Sequence, residues 1–274
     1  MSETLAKKRL AVLGAGKMGG ILLQAFVKSG VVSQENLRAT VAHEERAKNL
    51  GRQFGVAFGC DNRQAAEGAD IILLCVKPQA VSEVLQEIRP EMGAGQLLIS
   101  VAASVPTSYI EERLPAKVAV VRAMPNTPAM IGAGITGVCA GSCATAQQVH
   151  TACRLFETVG RTVTVDEKHM DAVTGLSASG PAFIYIVLES LAEAGVKVGL
   201  PRDLATLLAA QTTLGASRVV LETGNHPALL KDAVTTPAGC TIDGILELEE
   251  GKLRVTLIKA VVKATQRAKE LLFA

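Results

Sequence analysis

Leu10-Ala11-Val12-Leu13-Gly14-Ala15-Gly16-Lys17-Met18-Gly19 decides the fold class of this chain. Four consecutive apolar residues with no alternation are the pattern of a strand buried on both faces of a parallel sheet. A G-x-G-x-x-G run follows at once, and Ile21, Leu22, Ala25 and Phe26 then recur at helical spacing up to Gly30. Strand, glycine turn and helix are the context that gives this fingerprint meaning. The first glycine permits the tight turn, the second admits a pyrophosphate to the backbone, and the third lets helix and strand pack closely. Gly14, Ala15, Gly16, Lys17, Met18 and Gly19 are therefore candidate dinucleotide contacts.

Working outward, apolar runs at 37–41, 56–58, 71–76, 96–101, 117–121, 135–139 and 162–165 read as further strands. Helical spacing separates some of them, over 81–88 and 144–159. Alternation of this kind predicts an α/β Rossmann-type doubly wound sheet over residues 1–166. Beyond it, 167–274 carries almost only helical periodicity, at 182–196, 202–221, 228–234 and 252–273. The stretch 182–196 is apolar nearly all round, so it must be covered on several sides. A helical domain this hydrophobic predicts a homodimer formed through it.

Composition narrows the function classes. With 274 residues the chain has room for two domains. A net charge of +2 with interspersed signs offers no basic stripe for nucleic acid, and aromatics at 3% provide no base-stacking platform. Lys7-Lys8-Arg9 precedes only four apolar residues, which is a strand and not an export signal. No uninterrupted apolar run approaches the ~20 residues of a membrane span. The six cysteines form no CxxC pair and have no histidines at zinc-ligand spacing, so no metal site is expected. They read as reduced and mostly buried, which together with the rest predicts a soluble cytoplasmic protein.

An NAD-selective site places an acid on the ribose about 20 residues past the last glycine, at the end of the second strand. Here the strand runs into Ala42-His43, and Glu44, Glu45 and Arg46 follow. The missing acid favours NADPH, with NADH still possible. His43 and Arg46 are candidate 2′-phosphate contacts, the alternative being that both are solvated loop residues. Strand ends at Asp61-Asn62, at Val76-Lys77-Pro78 and at 122–128 offer further loops on the ligand-binding edge; Lys77 is given no catalytic role.

A second anion site is suggested by Thr235-Thr236-Pro237-Ala238-Gly239-Cys240-Thr241-Ile242-Asp243-Gly244, where a helix start would aim unpaired N–H groups at a carboxylate. Carbonyl reduction usually needs a strong proton donor, and neither the four histidines nor the lysine-free stretch 182–196 supplies one in an obvious motif. An imine arrives protonated, so it needs orientation more than an acid. Small anionic imines are therefore the favoured substrate class. The alternatives are another imine or keto-acid reductase of this architecture and a non-catalytic nucleotide-sensing homologue.

The chain resembles pyrroline-5-carboxylate reductase over essentially its whole length. The resemblance rests on 235–245, on Asp171-Ala172-Val173-Thr174-Gly175-Leu176-Ser177 with Ser179-Gly180-Pro181, on Val76-Lys77-Pro78-Gln79 and on Asn126-Thr127-Pro128. It implies reduction of 1-pyrroline-5-carboxylate to L-proline with NADPH or NADH, a Rossmann domain, a helical dimerisation domain over 167–274 and a decamer of dimers. It implies that Asn62, Val76, Lys77, Pro78, Ala102 and Asn126 face the cofactor. Glu167, Val234, Thr236, Gly239, Cys240 and Thr241 would surround the substrate, with the Thr241 hydroxyl near the ring nitrogen as the catalytic group. Ala238 stands where the family commonly has glycine, which is tolerable if its φ is negative. Ala233 replaces a residue that some members have as polar.

The missing acidic selector makes a testable statement. NADPH is expected to give the higher kcat/KM when the two cofactors are compared, and a strong NADH preference would overturn the reading.

Overall fold

The computed structural model describes residues 5–270, whose Cα packing forms two compact units, 5–178 with 263–270, and 179–262. The first unit is built on β1 (Leu10–Leu13), buried at all four positions. Leu10 and Val12 join one core cluster with Leu22, Leu23 and Phe26; Ala11 and Leu13 join another with Val84, Leu85 and Ile88. Both faces of the strand are covered, so its sequence has no polar face to alternate with.

The chain continues through α1 (Lys17–Ser29), β2 (Leu37–Thr40), α2 (Glu44–Phe54), β3 (Ala57–Gly59), α3 (Asn62–Ala66), β4 (Ile71–Leu74) and α4 (Val81–Ile88). It then forms β5 (Leu97–Ser100), α5 (Thr107–Glu111), β6 (Ala119–Met124), β7 (Gly134–Ala140), α6 (Ala146–Phe156) and β8 (Gly160–Thr164). One eight-stranded sheet results, in the order β3-β2-β1-β4-β5-β6-β7-β8. All neighbours are parallel except β6 and β7. The order reverses between β1 and β4, the switch point at which open α/β sheets hold ligands beyond their strands' carboxyl ends.

Arg46 stands in the first turn of α2 and His43 is that helix's N-cap, so neither is a free loop residue. The apolar stripe of α2 is thin: Ala47, Leu50 and Phe54 pack on the core, and the rest of the helix is polar or glycine. Residues 167–178, placed beyond a boundary at 166 by the change of pattern, pack with the first unit. They contain α7 (Met170–Val173) and a π-helical turn, Thr174–Ala178. Met170 is wholly buried in a cluster with Met124 and Cys139, which explains the extension. The cysteine reading also needs correction. All six are free, yet Cys60, Cys143 and Cys240 are exposed and only Cys139 is buried. Burial pushes the Cys139 thiol up to about 11, with Glu167 adding to the effect, and burial raises Cys75 as well.

The second unit contains α8 (Gly180–Lys197), α9 (Arg202–Thr223), α10 (Pro227–Ala233) and α11 (Cys240–Glu250), and α12 (Leu253–Glu270) begins in it. Positions 271–273 of the expected last helix lie outside the described residues. Ala192, Ala205 and Ala209 are its only buried side chains among the described residues. A Cβ on Gly195 would stand 2.8 Å from that of Ala205, so α8 and α9 meet along a seam of small residues. Tyr185, Ile186, Leu207, Leu221, Leu246 and Ile258 remain exposed. Apolar surface on this scale calls for a covering partner.

The expectation on membrane-spanning length holds only for uninterrupted runs. Glu167–Lys197, 31 residues, and Arg202–Thr223, 22 residues, are long and apolar enough to cross a membrane by length and composition, because scattered charges do not cancel a long apolar stretch.

Gly19 is the closest contact in the first βα turn. A Cβ there would overlap the Gly14 carbonyl oxygen and lie 3.0 Å from Cys75 Cβ. Gly19→Ala is expected to destabilise the protein by about 1–3 kcal/mol through overpacking, measured by urea denaturation; an unchanged midpoint would count against this packing.

Candidate functional site

At the carboxyl ends of β1, β2 and β4 lies a cleft of about 410 Å³. Gly14, Ala15, Gly16, Arg46, Asn62, Val76 and Lys77 line it, together with Thr40, Glu83 and Glu87. Gly14 holds φ +89°, a conformation that suits glycine, and a Cβ on Gly16 would meet nothing within 4 Å. Helix α1 starts at Lys17 with Gly16 as its N-cap and no side-chain cap. Open backbone and uncapped first-turn amides under a helix dipole fit the pyrophosphate of a dinucleotide.

A hydrogen-bonded chain organises this cleft. The Gly14 N–H donates to Thr40 Oγ1 (3.0 Å), whose hydroxyl donates to Asn62 Oδ1 (2.7 Å). Asn62 Nδ2 donates in turn to Glu87 Oε2 (2.7 Å). Thr40 ends β2, where an acidic selector would stand, and its hydroxyl is engaged as both acceptor and donor. Arg46 points a guanidinium towards the glycine turn, with Nη2 3.4 Å from the Ala15 carbonyl. His43 is the N-cap residue of α2 and makes no side-chain cap bond. Thr40 and Glu87 were not singled out from the sequence. The strand end could have suggested Thr40, whereas nothing local marks Glu87.

Other candidates occupy different surroundings. Pro78, next to the cleft-lining Lys77, opens a short 3-10 turn, Pro78–Ala80. Ala102 is 2% exposed and packed in the core, its N–H donating to Ser100 Oγ at 3.3 Å. Asn126 is buried with both ends of its amide engaged: Nδ2 donates to the Ser177 carbonyl (3.1 Å), and Oδ1 accepts from the Ile135 N–H (3.0 Å). Glu167 accepts from the Thr107 N–H (2.7 Å) on one oxygen and from the Thr107 hydroxyl (2.6 Å) on the other. None of these last three lines the cleft.

In the second unit, the 235–244 stretch is a turn followed by α11. Gly239 is the N-cap residue, in extended conformation, and provides no side-chain cap. Cys240 and Thr241 open the helix and are exposed, as are Val234 and Thr236. The turn is closed by the Gly239 N–H on the Thr236 carbonyl (3.0 Å), and the Thr235 hydroxyl donates to the Lys231 carbonyl at the end of α10 (2.8 Å). A Cβ on Gly239 would overlap Thr236 Oγ1, so close approach fixes that glycine. Ala238 departs from expectation. Its φ is +54°, the left-handed region, so the methyl is held in strained backbone and not in the negative φ that would tolerate it. Among the described residues no cluster of three or more His, Cys, Asp or Glu could hold a metal ion.

Comparison with known proteins places these features. A family described as pyrroline-5-carboxylate reductase dimerisation matches residues 167–271, and one described as NADP oxidoreductase, coenzyme F420-dependent, matches 9–104. The chain is 44% identical to a pyrroline-5-carboxylate reductase of Methanosarcina acetivorans over 97% of its own length and 99% of that protein's. It is 41% identical to a pyrroline-5-carboxylate reductase of Glycine max, over 96% and 95%. A solved pyrroline-5-carboxylate reductase from Coxiella burnetii superposes with a TM-score of 0.89 at 35% identity, covering 96% of this chain and 98% of that one. The Plasmodium falciparum pyrroline carboxylate reductase, solved with NADP bound, superposes with a TM-score of 0.87 at 29% identity, covering 97% and 98%.

Relief of the strain at position 238 can be measured. Ala238→Gly removes a left-handed penalty of about 1–2 kcal/mol and adds about 0.5–1 kcal/mol of unfolded-chain entropy. A net gain in stability of up to about 1.5 kcal/mol is expected in chemical denaturation; a loss would show that the alanine conformation is unstrained.

Proposed function

The chain belongs to the pyrroline-5-carboxylate reductase family, and from that premise we propose how its own residues carry out the family's reaction. It is an NADP-dependent oxidoreductase that reduces 1-pyrroline-5-carboxylate to L-proline, the final step of proline biosynthesis. Our reading of the cofactor side is that Gly14 to Gly19 cradle the pyrophosphate, with Asn62, Val76, Lys77 and Pro78 beside it. Arg46 and His43 answer the 2′-phosphate, favouring NADPH over NADH. When bound, the cofactor supplies a hydride to the imine carbon.

The substrate side is carried by one observation, the uncapped start of α11 behind Gly239. Backbone N–H groups at Cys240 and Thr241, under the positive end of the helix dipole, suit the substrate carboxylate. Thr236 and Gly239 shape the turn that presents them, and Val234 gives an apolar wall. The Thr241 hydroxyl orients the ring nitrogen, which is protonated in the iminium and becomes the secondary amine of proline. No strong enzymic acid is then required. For Glu167, Ala102 and Asn126 the support is for framing the site, since their polar groups or side chains are engaged within the protein.

The helical dimerisation domain, 167–274, makes the protein a homodimer, and the exposed apolar faces of α8 and α9 are suited to a second copy and not to lipid. A decamer of such dimers and a soluble life in the cytoplasm complete the proposal; free cysteines suit a reducing compartment.

The decisive assay is NADPH oxidation by purified protein with 1-pyrroline-5-carboxylate. Thr241→Ala is expected to lower kcat about 10- to 100-fold, the worth of a hydrogen bond to a charged group, with NADP⁺ affinity nearly unchanged. Wild-type kinetics in that variant would remove Thr241 from the mechanism.

A further inference from the structure

Arg122, at 3% exposure, is a buried charge that the reaction as described does not use. It lies in β6 between Ser100 of β5 and Cys139 of β7 in the sheet register. Its Nη1 stands 3.6 Å from Glu167 Oε1 and its Nη2 3.4 Å from Asp171 Oδ1. Its Nε is buried with no hydrogen-bond partner. A guanidinium this deep persists only if opposite charge compensates its lost hydration. The two carboxylates are thereby drawn to the end of β6.

The consequence appears one strand over. Glu167, held by Arg122, takes both the N–H and the hydroxyl of Thr107, at 2.7 and 2.6 Å. Thr107 closes the loop 101–107 that leaves the carboxyl end of β5. Ala102 and Val105 anchor that loop in the core, but between them Ser104 sits at φ +65° with its buried hydroxyl unpartnered. Strain of this kind persists where the surroundings over-determine the backbone. Here the surroundings include a charged strut running from Arg122 through Glu167 to Thr107.

In a doubly wound sheet the adenosine half of a dinucleotide lies over the β2 side of β1, so the nicotinamide half lies over β4 and β5. The adenosine side has its own bonds, through Thr40, Asn62 and Glu87. We infer that Arg122 is a positioning residue for the nicotinamide half of the cofactor, acting through Glu167 on the loop 101–107, and that it leaves the adenosine half untouched. This inference rests on the proposed cofactor assignment.

The test is calorimetric titration of the full-length protein with NADP⁺ and with 2′,5′-ADP, which carries only the adenosine half. In Arg122→Met the NADP⁺ affinity is expected to fall at least threefold relative to that for 2′,5′-ADP. Thr107→Val, which deletes only the hydroxyl bond to Glu167, is expected to shift the ratio the same way. An unchanged ratio, whether both ligands weaken together or neither does, overturns the inference. If Arg122→Met does not fold, Thr107→Val decides by the same criterion. Failure of the wild type to bind NADP⁺ would instead refute the cofactor assignment.

Discussion

The hydrogen bond from the Gly14 N–H to the Thr40 hydroxyl joins the two strands on which the nucleotide half depends. Gly14 must leave β1 at φ +89° for the chain to turn under α1, and this turn brings Gly19 against the Gly14 carbonyl. Thr40 receives the freed N–H and passes its own hydrogen on to Asn62, which bonds Glu87. Turn, β2, α3 and α4 are thus coupled through one hydroxyl. A carboxylate in place of Thr40 could accept from Gly14, but it has no hydrogen to donate to Asn62.

The helical unit obeys a different constraint. Its seam between α8 and α9 is made of alanines and a glycine, which permits close approach and buries little area per residue. Large apolar side chains point elsewhere, and their burial awaits a second copy. Dimerisation follows from the hydrophobic content of these helices, and the same content makes two of them long and apolar enough to resemble membrane spans.

Much of the sheet could be read in advance because each buried strand is short, apolar and followed by a turn. Helix α2 could not, since three apolar residues in eleven leave its period faint and only the packing of Ala47, Leu50 and Phe54 reveals it. Cysteine burial is hidden for a related reason: composition reports a residue's average habit, whereas Cys60 and Cys143 fall in connections between elements and Cys240 opens α11, all three exposed. Glu167 and Asn126 show a third kind of gap. Asn126 stands in a quoted motif and Glu167 is a position implied by the resemblance, yet the partners that engage them, Thr107, Ile135 and Ser177, cannot be inferred from either.

The sequence by itself determined the nucleotide-binding sheet, the change to helices after it, the family and the turn before a helix start at 235–244. Each rests on local pattern, on periods of two or 3.6 residues and on glycines at fixed spacing, which act over a few positions. Tertiary structure alone decided that Ala238 adopts positive φ, that Thr40 relays a hydrogen bond from Gly14, and that Arg122 gathers Glu167 and Asp171. The physical reason is reach. Glu167 and Thr107 are 60 positions apart in the chain, and whether a polar group is free or already engaged is settled by neighbours that only folding supplies.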